Sequence, residues 1–216
     1  MRGLSALVAL AVVAGVAPAR AASVDFASTD SDGHPASFAV AELFPLEGAP
    51  LAPSHLPSQA IVDQRDETFI PLVTLIQRGG QVVFTNSDHT MHQVYSFSKI
   101  RQFAFEIDKG QKSAPVLFDE PGVAAIGCNI HDQMVTFVYV ADTPWAVLMD
   151  AQGRARLQGV PAGDYRVSVW DPRLMPGYHP EAASLQVSDN GARFKLSIPL
   201  VAGQMPGMKH PHSENY

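Results

Sequence analysis

The sequence predicts an all-β protein made of two β-sandwiches in series. Three observations predict it. Apolar and polar residues alternate over runs such as Ala192 to Ile198, other runs such as Val135 to Ala141 are β-rich throughout, and each run is bounded by Gly, Pro or Asp. No convincing amphipathic helix interrupts them. The spacing of the runs changes character at Asp142-Thr143-Pro144, where one set of strands closes and a second begins.

Residues 22 to roughly 66 mix short alternating segments such as Ser37-Phe38-Ala39-Val40 with proline-rich stretches, and are expected to form one or two edge strands and a long loop of the first domain. Strands follow at Leu72 to Ile76 and Gln81 to Thr85, with a turn at Gly79-Gly80 between them. His92 to Ser98, Pro115 to Phe118, Val123 to Gly127 and Val135 to Ala141 complete the first set, which with the signal peptide removed spans residues 22–142. The second, smaller sandwich spans 143–202, with strands at Trp145 to Met149, Arg154 to Gln158, Asp164 to Trp170, Ser184 to Ser188 and Ala192 to Ile198. The tail, 203–216, has no periodicity and is expected to be disordered.

Residues 1–21 read as a secretory signal. Arg2 precedes an apolar run from Leu4 to Val16, and Ala19-Arg20-Ala21 fits a small-residue cleavage site. The run falls short of a membrane span, so a periplasmic protein with no membrane anchor is expected. A formal charge of −6 argues against nucleic acid or an anionic membrane as partner. The chain has one cysteine, which excludes an internal disulfide and leaves Cys128 in need of another role.

That role is suggested by Gly127-Cys128-Asn129-Ile130-His131-Asp132-Gln133-Met134, which puts a thiolate, an imidazole and a thioether on one tight loop. His92, six residues after Asn86, could complete the set. Two histidines, one cysteine and a weak methionine form a ligand list for a single copper ion cycling between Cu(I) and Cu(II). Zinc is disfavoured because methionine is a poor ligand for it. His89 and Met91 lie on a loop that could converge on the same point and compete with His92 and Met134. Asn86, Ser87 and Asp88 are short polar residues suited to pinning that loop, and a plausible task for them is to hold the two ligand loops together.

These residues resemble the cupredoxins, the short Cys-x-x-His-x-x-Met loop being amicyanin-like. A longer resemblance is to plastocyanin-like proteins labelled methylamine-utilisation proteins. It runs through Asp63-Gln64, Phe69-x-Pro71, the segment Phe84 to Asp88, His92 to Ser98, Cys128 to Met134, Asp142-Thr143-Pro144, Gly159 to Tyr165 and Val169-Trp170. The resemblance implies a Greek-key copper sandwich with His92, Cys128, His131 and Met134 as ligands and His131 as the electron port. It also implies a second sandwich similar to carboxypeptidase regulatory-like modules, which carry no catalytic machinery. Cupredoxins commonly place asparagine directly after the upstream ligand histidine to tie the ligand loops together. Gln93 stands there instead.

The function expected is an exported type 1 copper protein that is not an enzyme and carries single electrons between redox proteins, such as a c-type cytochrome and a dehydrogenase. Two other classes compete with it. Copper trafficking or storage would use an exchangeable site and the His- and Met-bearing tail at Met205, Met208, His210 and His212. A binding or scaffold module would use Trp145, Tyr165 and Trp170 as an aromatic platform, although aromatic residues in strands usually fill sandwich cores.

Overall fold

A computed structural model describes residues 22–47, 54–174 and 183–200. The expected signal peptide at 1–21 and the tail at 203–216 lie outside the described residues. Sixteen strands and no helix make up the described chain. In order they are β1 (Ala22–Asp30), β2 (Val40–Pro45), β3 (Gln59–Arg65), β4 (Thr68–Ile70), β5 (Val73–Gln77), β6 (Gly80–Asn86), β7 (His92–Ser96) and β8 (Phe103–Ile107). Then come β9 (Val116–Phe118), β10 (Gly122–Cys128), β11 (Val135–Ala141), β12 (Ala146–Leu148), β13 (Arg154–Val160), β14 (Gly163–Trp170), β15 (Ala183–Val187) and β16 (Ala192–Ile198).

The alternation in the sequence is the alternation of burial. In β6, Val82 and Phe84 are fully buried while Val83 between them and Thr85 after them are partly exposed, because successive side chains leave opposite faces of a strand. Two sheets, ordered β5-β11-β10-β7-β8 and β4-β3-β6-β9, close over one core that includes Val62, Phe84, Phe118, Val94, Ile126 and Val138. Each such buried side chain contributes about 1.5–3 kcal/mol. The sheets are mixed rather than purely antiparallel: β3 runs parallel to β6 and β5 parallel to β11.

The N-terminal strands are not edges of that first sandwich. β1 lies between β13 and β16, antiparallel to one and parallel to the other, and β2 pairs with β12 and β14. Sheets β13-β1-β16 and β12-β2-β14-β15 enclose a second core around Phe26, Leu43, Trp145, Tyr165 and Val167. The expected boundaries at 22–142 and 143–202 therefore divide a sandwich that strand pairing keeps whole. Hydrophobic periodicity marks a strand but carries no record of its neighbour, so chain order was a poor guide to pairing. Trp145 and Tyr165 meet edge to face inside this core and are both buried, so they form no exposed platform.

A third apolar cluster joins the two halves, with Val40, Val73, Tyr139 and Ala141 at its centre and Phe38, Val123 and Trp170 around it. Trp170 packs on the rings of Phe137 and Tyr139 at 5.4 and 5.9 Å. Buried Glu42 crosses the same junction, accepting hydrogen bonds from the Tyr139 hydroxyl at 2.9 Å and from the amides of Asp142 and Thr143 at 2.8 and 2.7 Å. β5 and β8 bracket β11, β10 and β7 in the five-stranded sheet, and the ends of β10 and β7 carry Cys128 and His92.

Candidate metal centre

Cys128 is the last residue of β10 and His92 the first of β7, neighbouring strands in which Cys128 lies opposite Val94. The loop from Asn129 returns to β11 through a tight turn in which the Met134 amide donates to the His131 carbonyl at 2.9 Å and the Cys128 amide to the Met134 carbonyl at 3.3 Å. Those bonds hold three of the sequence-selected residues on one short arch. Gly127 leaves room beside it for the Tyr95 side chain: a Cβ there would come 2.8 Å from the outer end of the Tyr95 ring, which would have to shift.

The ligand-type atoms of His92, Cys128 and His131 all lie within 4.8 Å of one another. Cys128 Sγ is 3.5 Å from His92 Nδ1, and the two imidazoles sit with centroids 5.1 Å apart. His92 is fully buried, Cys128 is 3% exposed and Met134 2%, the last two in the same core cluster. His131 is the outlier, with a quarter of its side chain exposed. His89 is exposed and stands outside the cluster, and Met91 is half-buried.

Each histidine presents one nitrogen inward and has an acid on the other. His92 Nε2 lies 3.0 Å from Asp88 Oδ2, so with the carboxylate accepting, the ring carries its proton there and leaves the Nδ1 lone pair toward sulfur. Burial works against the Asp88 charge, but the Glu67 amide, the His92 ring and the His89 amide outweigh it and hold the carboxyl below its usual range. His131 Nε2 lies 3.7 Å from Glu67 Oε1, while its Nδ1 is buried without a hydrogen-bond partner. One residue thus serves both rings, since the Glu67 amide also donates to Asp88 Oδ2 at 2.8 Å. Glu67 is placed by the β3–β4 hairpin turn, where Asp66 and Glu67 both take positive φ, of 51° and 54°.

The sequence did not single out Glu67, and it treated Asp88 only as a loop-pinning residue. The one available signal was the four-residue spacing of Asp88 and His92. Asn86 does not do the task expected of it. Its amide nitrogen donates to the carbonyls of Thr90 and Ile107 and its oxygen accepts from the Asp88 amide, so it shapes the His92 loop and anchors it to β8 rather than reaching the cysteine loop. That link is made at Gln93, whose side-chain oxygen accepts from Asn129 Nδ2 at 2.6 Å while its carbonyl accepts from the Asn129 amide at 3.0 Å.

The donor set fits a single copper ion. A buried, unpartnered imidazole nitrogen is costly in a protein interior, and here it belongs to a cluster with a second inward-facing imidazole nitrogen and a thiol, beside a buried thioether. Two imidazoles and a sulfur suit copper in both common oxidation states. No family model and no curated protein matches the chain. Among solved structures, it is similar over 38% of its length to 99% of a purple cupredoxin from Nitrosopumilus maritimus, at 24% identity and a TM-score of 0.35. It is also similar over 46% of its length to 98% of amicyanin from Paracoccus versutus, at 21% identity and a TM-score of 0.34, and over 46% to 25% of a copper-containing nitrite reductase from Thermus scotoductus SA-01, at 22% identity and a TM-score of 0.36.

Proposed function

We propose that the protein is an exported type 1 copper protein that binds one copper ion through His92, Cys128, His131 and Met134 and passes single electrons between redox proteins. The observation that carries this reading is the meeting of His92 Nδ1, Cys128 Sγ and the unpartnered region of His131 at the end of a rigid sandwich. Copper bound there would supply reversible one-electron chemistry. The chain's own residues do the rest: Asp88 fixes the orientation of the His92 ring, the hydrogen-bonded arch from Cys128 to Met134 holds sulfur and imidazole in register, and the buried surround keeps water from the thiolate.

A donor set held this way changes little between oxidation states, which is what a carrier needs for fast transfer. His131 is the point of exit and entry, because it alone of the four candidate ligands has substantial exposure. The acidic residue Glu67 stands 3.7 Å from it and Asp132 follows it in the chain, and both favour a redox partner with a basic face. Export rests on the signal-like residues 1–21. Among the described residues no helix is long and apolar enough to cross a membrane.

The test is the visible spectrum of the purified protein with Cu(II). An intense thiolate-to-copper band is expected, with reversible one-electron voltammetry, and Cys128→Ser should abolish the band while the circular dichroism of the β-fold persists. A Cys128→Ser protein with an unchanged spectrum would rule out the site.

A further inference from the structure

We propose that the outward face of the β13-β1-β16 sheet docks on an anionic phospholipid surface. The inward residues of β1 and β16 fill the second core, including Val24, Phe26, Phe194 and Leu196. The alternate residues face out, and they are charged with one dominant sign. In register, Asp25 lies between Arg156 and Arg193, and Ala27 lies between Arg154 and Lys195. Arg154, Arg156, Arg193 and Lys195 are all exposed.

The acids on this face do not cancel them. Asp25 is taken up by Arg156 in a two-pronged pair at 2.6 and 3.0 Å, and Asp150 at the rim reaches Arg154 only at 3.9 Å. Over Asp25, between Arg156 and Arg193, lies an open depression of about 440 Å³ also lined by Ser23 and Asn190; Arg156 takes up the Asp25 carboxylate, and Arg193 is left to meet an anionic headgroup. The overall charge of −6 hides this face because the chain separates its charges: Asp66 and Glu67 on the β3–β4 turn and Asp132 on the cysteine loop lie in the other sandwich.

Charge complementarity and the absence of an apolar anchor select the occupant. The large exposed hydrophobic residues described, Leu46, Ile61, Ile70, Phe97, Leu117 and Ile130, all lie off this sheet. A protein interface generally centres on buried aromatic or apolar anchors, whereas a dense anionic surface is held by clustered Lys and Arg through salt-sensitive attraction. The docking uses no residue of the candidate copper site.

The test is co-sedimentation of the purified protein with vesicles of phosphatidylcholine, with and without phosphatidylglycerol. Binding is expected only with phosphatidylglycerol, at low ionic strength, and should be lost as salt is raised. The Arg193→Glu, Lys195→Glu double variant should lose affinity by about fivefold or more for each cation removed. The neutral Arg193→Gln, Lys195→Gln pair should move the same way by less, which covers misfolding of the reversed protein. Lys99→Glu, on the other sandwich, should bind as the parent does. Absence of binding at low salt would leave these cations as edge-strand protection alone and overturn the proposal. Equal binding to pure phosphatidylcholine would overturn it too, as would an equal loss in Lys99→Glu, or polyglutamate binding the same residues more tightly than the vesicles do.

Discussion

The Asp88 carboxylate sits 3.0 Å from His92 Nε2, on the far side of a ring whose Nδ1 is 3.5 Å from Cys128 Sγ. The carboxylate therefore sets which nitrogen of the buried histidine is free to bind metal. Partners of this kind are typically worth about 10–100-fold in metal affinity. Asp88→Ala should lose that much in a chelator competition, and Asp88→Asn less, since its amide oxygen still accepts a hydrogen bond. Equal affinities in all three proteins would mean that packing alone orients His92.

The two histidines differ in access, so their truncations should differ in rescue. His131 has a quarter of its side chain exposed, whereas His92 is sealed at 0%. Added imidazole should restore the visible copper band in His131→Gly and fail to do so in His92→Gly. Equal rescue at both positions would remove the case for His131 as the electron port.

What was legible in the sequence was whatever local periodicity or spacing encodes. Val135–Ala141 and Ala192–Ile198 form strands over the residues expected, because both are runs of strand-favouring residues bounded by turns, and the second alternates without a break. His92, Cys128 and His131 meet as expected because donor identity and loop spacing are themselves local signals. β8, Phe103–Ile107, was missed despite its alternation, since only pairing with β7 gives that short run a role. The placement of β1 beside β13 and β16 was out of reach for the same reason: its partners lie far along the chain. Glu67 acts through a contact made by folding, with His131, and nothing in its sequence neighbourhood announces it, whereas Gln93 was marked by its place directly after His92 and reaches Asn129.

Glu42 makes a prediction about stability and pH. Burial pushes its carboxyl above the usual range, against the opposing pull of the Thr143 amide, the Tyr139 hydroxyl and the Asp142 amide. The unfolded chain releases this proton near pH 4.5 and the folded chain holds it to higher pH, so Glu42 makes the fold less stable as pH rises from 4.5 through its folded pKa. The lowered carboxyls of Asp25, Asp30, Asp63 and Asp88 act elsewhere: their contributions are present above 3.8 and lost as pH falls below it. In urea unfolding across that window, Glu42→Gln should lack the decline, because an amide does not titrate, while its oxygen can still accept from both backbone amides. Glu42→Ala leaves three donors facing an empty site and should cost about 2 kcal/mol or more relative to Gln. Identical pH slopes in the parent and Glu42→Gln would assign the decline to another group.

Met134 tests electron carriage against mere copper binding. It is buried at 2% in the same cluster as Cys128, and its backbone closes the ligand loop through bonds to Cys128 and His131. An axial thioether acts mainly on the relative stability of Cu(I) and Cu(II), so its replacement should move the potential more than the affinity. Met134→Leu removes a donor to Cu(II) and should raise the reduction potential. Met134→Gln supplies a harder oxygen and should lower it. For one electron, about 59 mV corresponds to a tenfold change in the redox equilibrium, so voltammetry resolves even a modest effect. Met91 is the competing thioether, half-buried on the His92 loop. If both Met134 variants keep the parent potential while Met91→Leu shifts it, the axial donor comes from the His92 loop and the cysteine arch supplies only two ligands.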